Sequence, residues 1–334
     1  MTINLTSSSI FPARKTILTT DLDGTLLIGA KDNMKRNAED RFYDTSLVSD
    51  VASSINNSGV SDVFINTGRN FSELKEVKSI LQDSQLPFTA IALEDGKRLL
   101  TKPNDVSSQE WMEDLFDDNK NYLRFSDKNW TAKNSVATQT IRNYLEKELG
   151  FIHRKDDGET IIYSKPVSTD DIGVSAINSK AHWEVALPPA SAGFNLTLRN
   201  STEADTIDVE KYNSFLAEKI DELLESQNID VEDSKTKKEV RYINTFERND
   251  INKGTVADYV RESQGSSTLE IRAGNDMNDK SMLVNTNPKV FSIQVGSNSV
   301  LSQYLANQQN TIQVDENNLA TGIKQAAKKL DLCA

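Results

Sequence analysis

The sequence predicts an α/β protein: a doubly wound, Rossmann-like parallel sheet interrupted by an inserted α+β domain. Near both ends of the chain, short β-branched, apolar segments alternate with segments of helical periodicity. Between them, from residue 97 to residue 247, the character of the chain changes: residues 105–129 are heavily charged, and the predicted strand at 194–198 alternates apolar and polar residues. We therefore expect a flexible leader at 1–15, a core formed by 16–96 and 248–334, and an inserted domain at 97–247.

The first predicted strand, at residues 16–20, ends in two carboxylates. Asp21 and Asp23 follow its buried Ile and Leu residues, and Gly24 permits a sharp turn after them. Ligands of open parallel sheets bind outside the carboxyl ends of the strands. One carboxylate there can attack phosphorus while the other transfers protons, provided that a cation offsets the charge of the phosphate. An Asp-rich solvated turn remains the alternative for this segment.

The second predicted strand contains Val63, Phe64 and Ile65 and leads to Thr67 and Gly68. A helix is expected from 71 to 81, with its apolar residues on one face. A hydroxyl group and a glycine amide at a strand end, before a helix, can bind phosphate oxygens. A helix-capping role is the alternative for Thr67.

The rest of the chain supplies the remaining elements. The sequence predicts helices at 47–55, 141–149, 212–224, 253–260, 300–306 and 319–330, and strands at 88–93, 158–163, 183–187, 194–198, 267–271 and 291–296.

Composition narrows the classes of function. The 334 residues carry a net charge of −12, which argues against a nucleic-acid or anionic-membrane partner. The single cysteine excludes an intrachain disulfide and a cysteine metal site. No apolar run is long enough to span a bilayer, and the leader lacks the apolar core of a signal peptide. We expect a cytoplasmic protein, with export without a cleaved signal as the alternative.

Four motifs stand in order, each at a predicted strand end or helix start. They are Asp21-Leu22-Asp23-Gly24-Thr25, Thr67-Gly68-Arg69, Lys253-Gly254 and Gly274-Asn275-Asp276-Met277-Asn278-Asp279. With them the sequence resembles the haloacid dehalogenase superfamily of phosphohydrolases. The first motif and the long interval between Thr67 and Lys253 look like the Cof-type and sucrose-phosphatase-like branch, which carries a C2-type cap in this interval.

The resemblance implies catalytic roles for three residues. Asp21 would be the nucleophile that becomes an aspartyl phosphate, and Asp23 the general acid and then base. Lys253 would neutralise charge on the phosphoryl group and the nucleophile. Taken alone, Lys253 could equally be a surface lysine, as most lysines are.

The resemblance also implies phosphate- and metal-binding residues. Phosphate or substrate contacts are expected from Thr67, Gly68, Arg69 and Asn278, and a Mg²⁺ site from Asp21, Asp23, Asn275, Asp276 and Asp279. The family usually has aspartate where this chain has Asn275. Either Asn275 is a weaker ligand or Asp276 replaces it, so we expect weaker Mg²⁺ binding than usual.

These expectations lead to a Mg²⁺-dependent phosphatase acting on a small phosphorylated metabolite, a sugar phosphate. A phosphosugar mutase with the same core is one alternative. A secreted effector or binding protein acting on a phosphoprotein is another, motivated by Asn275 and the divergent cap. The sequence leaves the oligomeric state open.

Overall fold

The structure, a computed structural model, describes residues 15–28, 43–117, 139–156, 161–167, 181–187, 195–199, 209–228, 231–232, 247–248 and 251–330. The expected leader, apart from residue 15, and the single cysteine lie outside these residues.

A seven-stranded sheet forms the centre of the described chain. Its strands lie in the order β13-β12-β11-β1-β2-β3-β4, and only the β3–β4 pair is antiparallel. The strands are β1 (Thr16–Thr20), β2 (Asp62–Asn66), β3 (Phe88–Leu93), β4 (Arg98–Thr101), β11 (Leu269–Gly274), β12 (Val290–Val295) and β13 (Thr311–Val314).

Helices cover both faces of this sheet. In the core they are α1 (Ser46–Asn56), α2 (Phe71–Lys75), α3 (Lys78–Asp83), α4 (Ser108–Leu115), α7 (Lys253–Ser263), α8 (Lys280–Leu283), α9 (Ser299–Leu305) and α10 (Leu319–Lys329). One buried cluster joins residues of α1 and α10 to the sheet, and a second joins residues of α7 and α9 to it. This arrangement confirms the predicted doubly wound α/β class.

Strand β1 lies between β2 and β11, where the order of the strands along the chain reverses. Asp21 follows β1, and its backbone N–H extends the pairing by donating to the Ala273 carbonyl at 2.9 Å. Crevices at such a reversal are the usual ligand sites of open α/β sheets. The topology therefore brings the first and last predicted motifs to one edge.

A second, antiparallel sheet contains β5 (Ile152–Asp156), β6 (Ile161–Pro166), β7 (His182–Leu187) and β8 (Asn195–Arg199). Helical residues 139–147 (α5) and α6 (Val209–Glu225) share a separate buried cluster with it, which includes Tyr163, Trp183 and Leu216. The short β9 (Val231–Glu232) and β10 (Glu247–Arg248) pair with each other. The α+β character expected of the inserted region is therefore observed.

Two sequence expectations differ from the structure. The predicted helix at 71–81 is divided into α2 and α3, because Val77 has a non-helical backbone conformation. Residues 98–116, assigned to the inserted domain, include β4 of the central sheet and an α4 helix whose Trp111 and Leu115 lie in the main core. The strands that were not predicted are β4, β5, β9, β10 and β13. None of the helices in the described ranges is long and apolar enough to cross a membrane.

Candidate active site

A buried lysine joins the ends of β1 and β11. The Lys253 Nζ atom lies 2.8 Å from Asp21 Oδ1 and 2.7 Å from Asp279 Oδ1, and a third carboxylate, Asp95 Oδ1, lies 3.7 Å away. The Lys253 side chain has no solvent-exposed surface. A buried charge requires partners of opposite sign, so these carboxylates hold the ammonium group in one place.

The same contacts shift the pKa values of Asp21 and Lys253. Burial and the nearby Asp279 charge raise the pKa of Asp21 to about 8, against the opposing effect of Lys253. Burial alone would lower the pKa of Lys253, but the charges of Asp21, Asp279 and Asp95 raise it well above its ordinary value. One ammonium group thus serves three carboxylates and leaves the site with excess negative charge.

The start of α7 fixes the lysine backbone. Asn252 caps the helix, and its side-chain oxygen accepts hydrogen bonds from the N–H groups of Gly254 at 2.9 Å and Thr255 at 3.0 Å. A Cβ atom on Gly254 would lie 2.1 Å from the Ser281 carbonyl oxygen, so only glycine permits this close approach. The Asn66 side chain donates to the Lys253 carbonyl at 2.8 Å and ties α7 to the end of β2.

The turn after β2 contains the second predicted motif. The Thr67 N–H donates to Ala92 of β3, and its hydroxyl oxygen accepts a hydrogen bond from the Arg69 N–H at 3.2 Å. The cap of α2 is Asn70, whose side chain accepts from the Glu73 N–H. Thr67 is therefore not the cap of this helix, and the alternative weighed for it is wrong.

Arg69 binds the second carboxylate of the first motif. Its Nε and Nη2 atoms lie 2.7 Å and 2.8 Å from the two oxygens of Asp23, a bidentate pair. The same guanidinium donates to the Tyr43 hydroxyl and to the Glu73 carbonyl. Burial alone would lower the pKa of Arg69, and its contacts with Asp23 and Tyr43 raise it. The structure thus places Arg69 against the predicted general acid.

The loop after β11 holds the fourth motif. The Asp279 Oδ2 atom accepts hydrogen bonds from the N–H groups of Asn275 at 2.8 Å and Asp276 at 3.1 Å. The Asn275 side chain lies against Gly24, and its oxygen accepts a hydrogen bond from Thr25 at 3.4 Å. Asn278 is exposed to solvent.

The Asp276 side chain caps the turn that follows it and contacts Asn298. Its Oδ1 accepts from the Met277 N–H at 2.8 Å and from the Asn298 side chain at 2.9 Å. Of the two alternatives for the expected metal site, the contacts place Asn275, and not Asp276, beside the Gly24 turn.

The donors suit a hard divalent cation in charge and type. When all four are ionised, Asp21, Asp23, Asp279 and Asp95 supply four negative charges, against the two positive charges of Lys253 and Arg69. Carboxylate and amide oxygens are the ligands that Mg²⁺ takes. Within the described ranges, no three His, Cys, Asp or Glu side chains are already arranged as a metal site. In this structure Asp23 is engaged by Arg69, and Asp279 by Lys253.

Sequence reasoning missed Asp95. It follows β3, whose carboxyl end lies at the same sheet edge as those of β1 and β2. The rule that ligands bind at the carboxyl ends of parallel strands, which identified Asp21 and Thr67, would also have identified Asp95. Asn66 and Tyr43 were also missed, and Tyr43 gave no signal, because its contact with Arg69 depends on tertiary packing.

Comparisons with known proteins give similarity at the level of structures. TM0651 from Thermotoga maritima is 14% identical, with a TM-score of 0.48, and the match covers 94% of this chain and 97% of that one. The HAD subclass IIB sugar phosphatase BT4131 is 12% identical, with a TM-score of 0.46, and the match covers 95% of this chain and 100% of that one. The phosphatase BT1666 from Bacteroides thetaiotaomicron is 15% identical, with a TM-score of 0.46, and the match covers 98% of this chain and 100% of that one.

No protein-family model matches the chain, and no curated protein matches it. Two of these solved structures are named as members of the HAD enzyme superfamily, and the matches cover nearly the whole of this chain.

Proposed function

We propose that this chain is a Mg²⁺-dependent phosphatase of the haloacid dehalogenase type, which hydrolyses a small phosphorylated metabolite, a sugar phosphate, through a phosphoryl group carried by Asp21. The observation that carries the proposal is the fully buried Lys253 ammonium group between Asp21 and Asp279. A lysine held in this way at the carboxyl edge of a parallel sheet can neutralise an incoming phosphoryl group.

The first half of the reaction transfers the phosphoryl group to the protein. An Asp21 carboxylate oxygen forms a bond to phosphorus while the bond between phosphorus and the leaving oxygen breaks. Protonated Asp23 gives its proton to that oxygen, and Arg69 keeps the Asp23 side chain in position through two hydrogen bonds. The Thr67 hydroxyl and the Gly68 N–H would bind oxygens of the transferring group.

The second half returns Asp21 to its starting state. The Asp23 carboxylate takes a proton from water, the water oxygen bonds to phosphorus, and the bond from phosphorus to Asp21 breaks, which releases inorganic phosphate. Lys253 offsets charge in both halves, because it contacts Asp21 directly. The second sheet and its helices, as an inserted cap, would exclude bulk water and select the leaving group.

The metal would be held by the Asp21 carboxylate, the Asp23 backbone carbonyl and the Asn275 amide oxygen, with Asp279 behind them. Bound there, Mg²⁺ would neutralise phosphate oxygens and lower repulsion toward the nucleophile. The neutral Asn275 leaves such a site one charge weaker than a site with aspartate.

The proposal is tested by phosphate release from sugar phosphates, nucleotides and phosphopeptides, with Mg²⁺ and with a chelator. The wild type is compared with Asp21→Asn and with Asp83→Asn, which removes the same charge from an exposed position at the end of α3. We expect Mg²⁺-dependent release from sugar phosphates that only Asp21→Asn abolishes. Release confined to phosphopeptides, or release that persists in Asp21→Asn, would contradict the proposal.

A further inference from the structure

The turn between β3 and β4, residues Glu94–Gly96, lies between the Thr67-Gly68-Arg69 motif and the Lys253-Gly254 motif. The Asp95 N–H donates to the Thr67 carbonyl and the Glu94 N–H to the Arg69 carbonyl, both at 3.0 Å. On its other side, a Cβ atom on Gly96 would lie 2.7 Å from the Asn252 carbonyl oxygen. The turn is therefore packed against both the Thr67–Arg69 turn and the start of α7, where Lys253 lies.

Asp95 has an unusual backbone conformation in this turn. Its φ of 55° and ψ of 39° are left-handed, and Glu94 before it also has a φ of 55°. Non-glycine residues are uncommon in this region, and aspartate and asparagine tolerate it best. The hydrogen bonds of the turn hold this conformation and aim the Asp95 side chain into the site.

The Asp95 carboxylate lies beside both groups proposed to hold phosphate. Its Oδ1 lies 3.7 Å from the Lys253 ammonium and would lie 3.2 Å from a Cβ atom placed on Gly68. This oxygen is buried, and no hydrogen-bond donor within the described ranges reaches it. A buried carboxylate oxygen without a donor is costly, so a functional reason for it is expected.

We infer that Asp95 limits the affinity of the site for phosphate by competing with the phosphoryl group for Lys253. This inference rests on the proposed function. An ammonium group has three N–H donors, and two of them already serve Asp21 and Asp279. Asp95, 3.7 Å away, attracts the ammonium group through its charge without a hydrogen bond, and the same charge would repel a phosphoryl oxygen that enters.

The competition assists turnover rather than binding. Inorganic phosphate carries the same oxygens as the transferred group and would otherwise be retained by the lysine and the Gly68 turn. A nearby negative charge shortens the time for which phosphate stays bound. Binding energy that stabilises the ground state and the product equally does not raise the rate of the chemical step. Asp95 thus sets how long inorganic phosphate is retained at the site.

The test is the dissociation constant of inorganic phosphate, measured by calorimetry at pH 7 in excess Mg²⁺. Asp95→Asn removes the charge and keeps a residue suited to the left-handed conformation, and Asp95→Gly removes the side chain while permitting the same φ. Asp83→Asn is the matched control for charge. We expect both Asp95 variants to bind phosphate about tenfold more tightly and the control to match the wild type.

Wild-type affinity in both Asp95 variants, or weaker binding, would overturn the inference while leaving the proposed function in place. A site that binds phosphate in none of the proteins would contradict the proposed function, and the inference with it. Tighter binding in the control as well would reduce the effect to net charge and would also overturn the inference.

Discussion

At the scale of single residues, the site is organised by an excess of carboxylates over cations. Lys253 contacts Asp21, Asp279 and Asp95, while Arg69 forms a bidentate pair with Asp23. Such an arrangement is unfavourable for the resting protein and favourable once a divalent cation and a phosphoryl group are bound. Functional sites often carry such a cost in stability.

The raised pKa of Asp21 predicts how the stability of the metal-free protein depends on pH. Because the folded-state pKa of about 8 lies above that of the unfolded chain, the contribution of Asp21 is greatest in acid and is lost as the pH rises toward 8. Asp21→Asn, which cannot ionise, should raise the free energy of unfolding at pH 9 in chelator by about 1 kcal/mol or more. Urea denaturation of both proteins measures this, and a less stable variant at pH 9 would refute it.

Asn275 predicts the strength of metal binding. Its side chain lies at the Gly24–Thr25 turn, where an aspartate would add a negative charge to the site. Asn275→Asp should therefore bind Mg²⁺ about tenfold more tightly, because affinity for hard cations rises with the charge of the ligands. Titration of thermal stability with Mg²⁺ gives the comparison, and unchanged affinity would show that this residue does not contact the metal.

Arg69 predicts the cost of misplacing the general acid. Arg69→Lys keeps a positive charge but cannot form the two parallel hydrogen bonds to Asp23. We expect kcat to fall by about 10²-fold, since small displacements of a catalytic group have effects of this size. The dissociation constant of Mg²⁺ should stay near the wild-type value. A fall in Mg²⁺ affinity with an unchanged kcat would assign Arg69 to metal binding instead.

At the scale of elements, the carboxyl ends of β1, β2, β3 and β11 and the start of α7 each supply one part of the site. The buried charged groups Glu270 and Arg272 of β11 link this strand to α7, where Asp258 lies 2.6 Å from Arg272. Helix α7 is thus fixed at its start by Asn66 and farther along by the ion pair between its half-exposed Asp258 and the buried Arg272. This packing explains how Lys253 can remain fully buried.

The Asn252 cap predicts coupling between the start of this helix and activity. Asn252→Ala removes the acceptor for two backbone N–H groups, which should cost about 1 kcal/mol of stability and shift Lys253 enough to lower kcat. Ser107→Ala is the matched control, because Ser107 caps α4 in the same way. The control should lose similar stability and keep its kcat, as measured by urea denaturation and phosphate release. Equal losses of kcat in the two variants would rule out a specific role for the cap.

At the scale of the whole molecule, periodicity predicted most of the architecture. The alternation of strands and helices at both ends of the chain gave the doubly wound sheet, and the strand at Phe88–Leu93 has the predicted bounds. Edge strand β13 was not predicted, because its four residues are partly exposed and have a weak apolar pattern. The charged residues of 105–117 concealed α4, whose buried Trp111 and Leu115 belong to the core.

The candidate site was predictable where a motif coincides with a strand end. Asp21, Lys253 and Asp279 lie together as the motif order suggested. The position of Asp95 at a strand end was predictable, but its contact with Lys253 was not, and neither was the Tyr43 contact with Arg69, because both depend on tertiary packing. A sequence shows which groups reach an edge but not which charges share one counter-ion there.

The central claim is that Asp21 carries the phosphoryl group, and mass spectrometry of an acid-quenched turnover tests it most directly. Asp23→Asn should accept the group from p-nitrophenyl phosphate, whose leaving oxygen needs no proton, and should be slow to release it without a general base. We expect a phosphoryl adduct on the peptide that contains Asp21, absent when Asp21→Asn is added. A burst of p-nitrophenol with the adduct on another residue, or turnover without any adduct, would contradict the account.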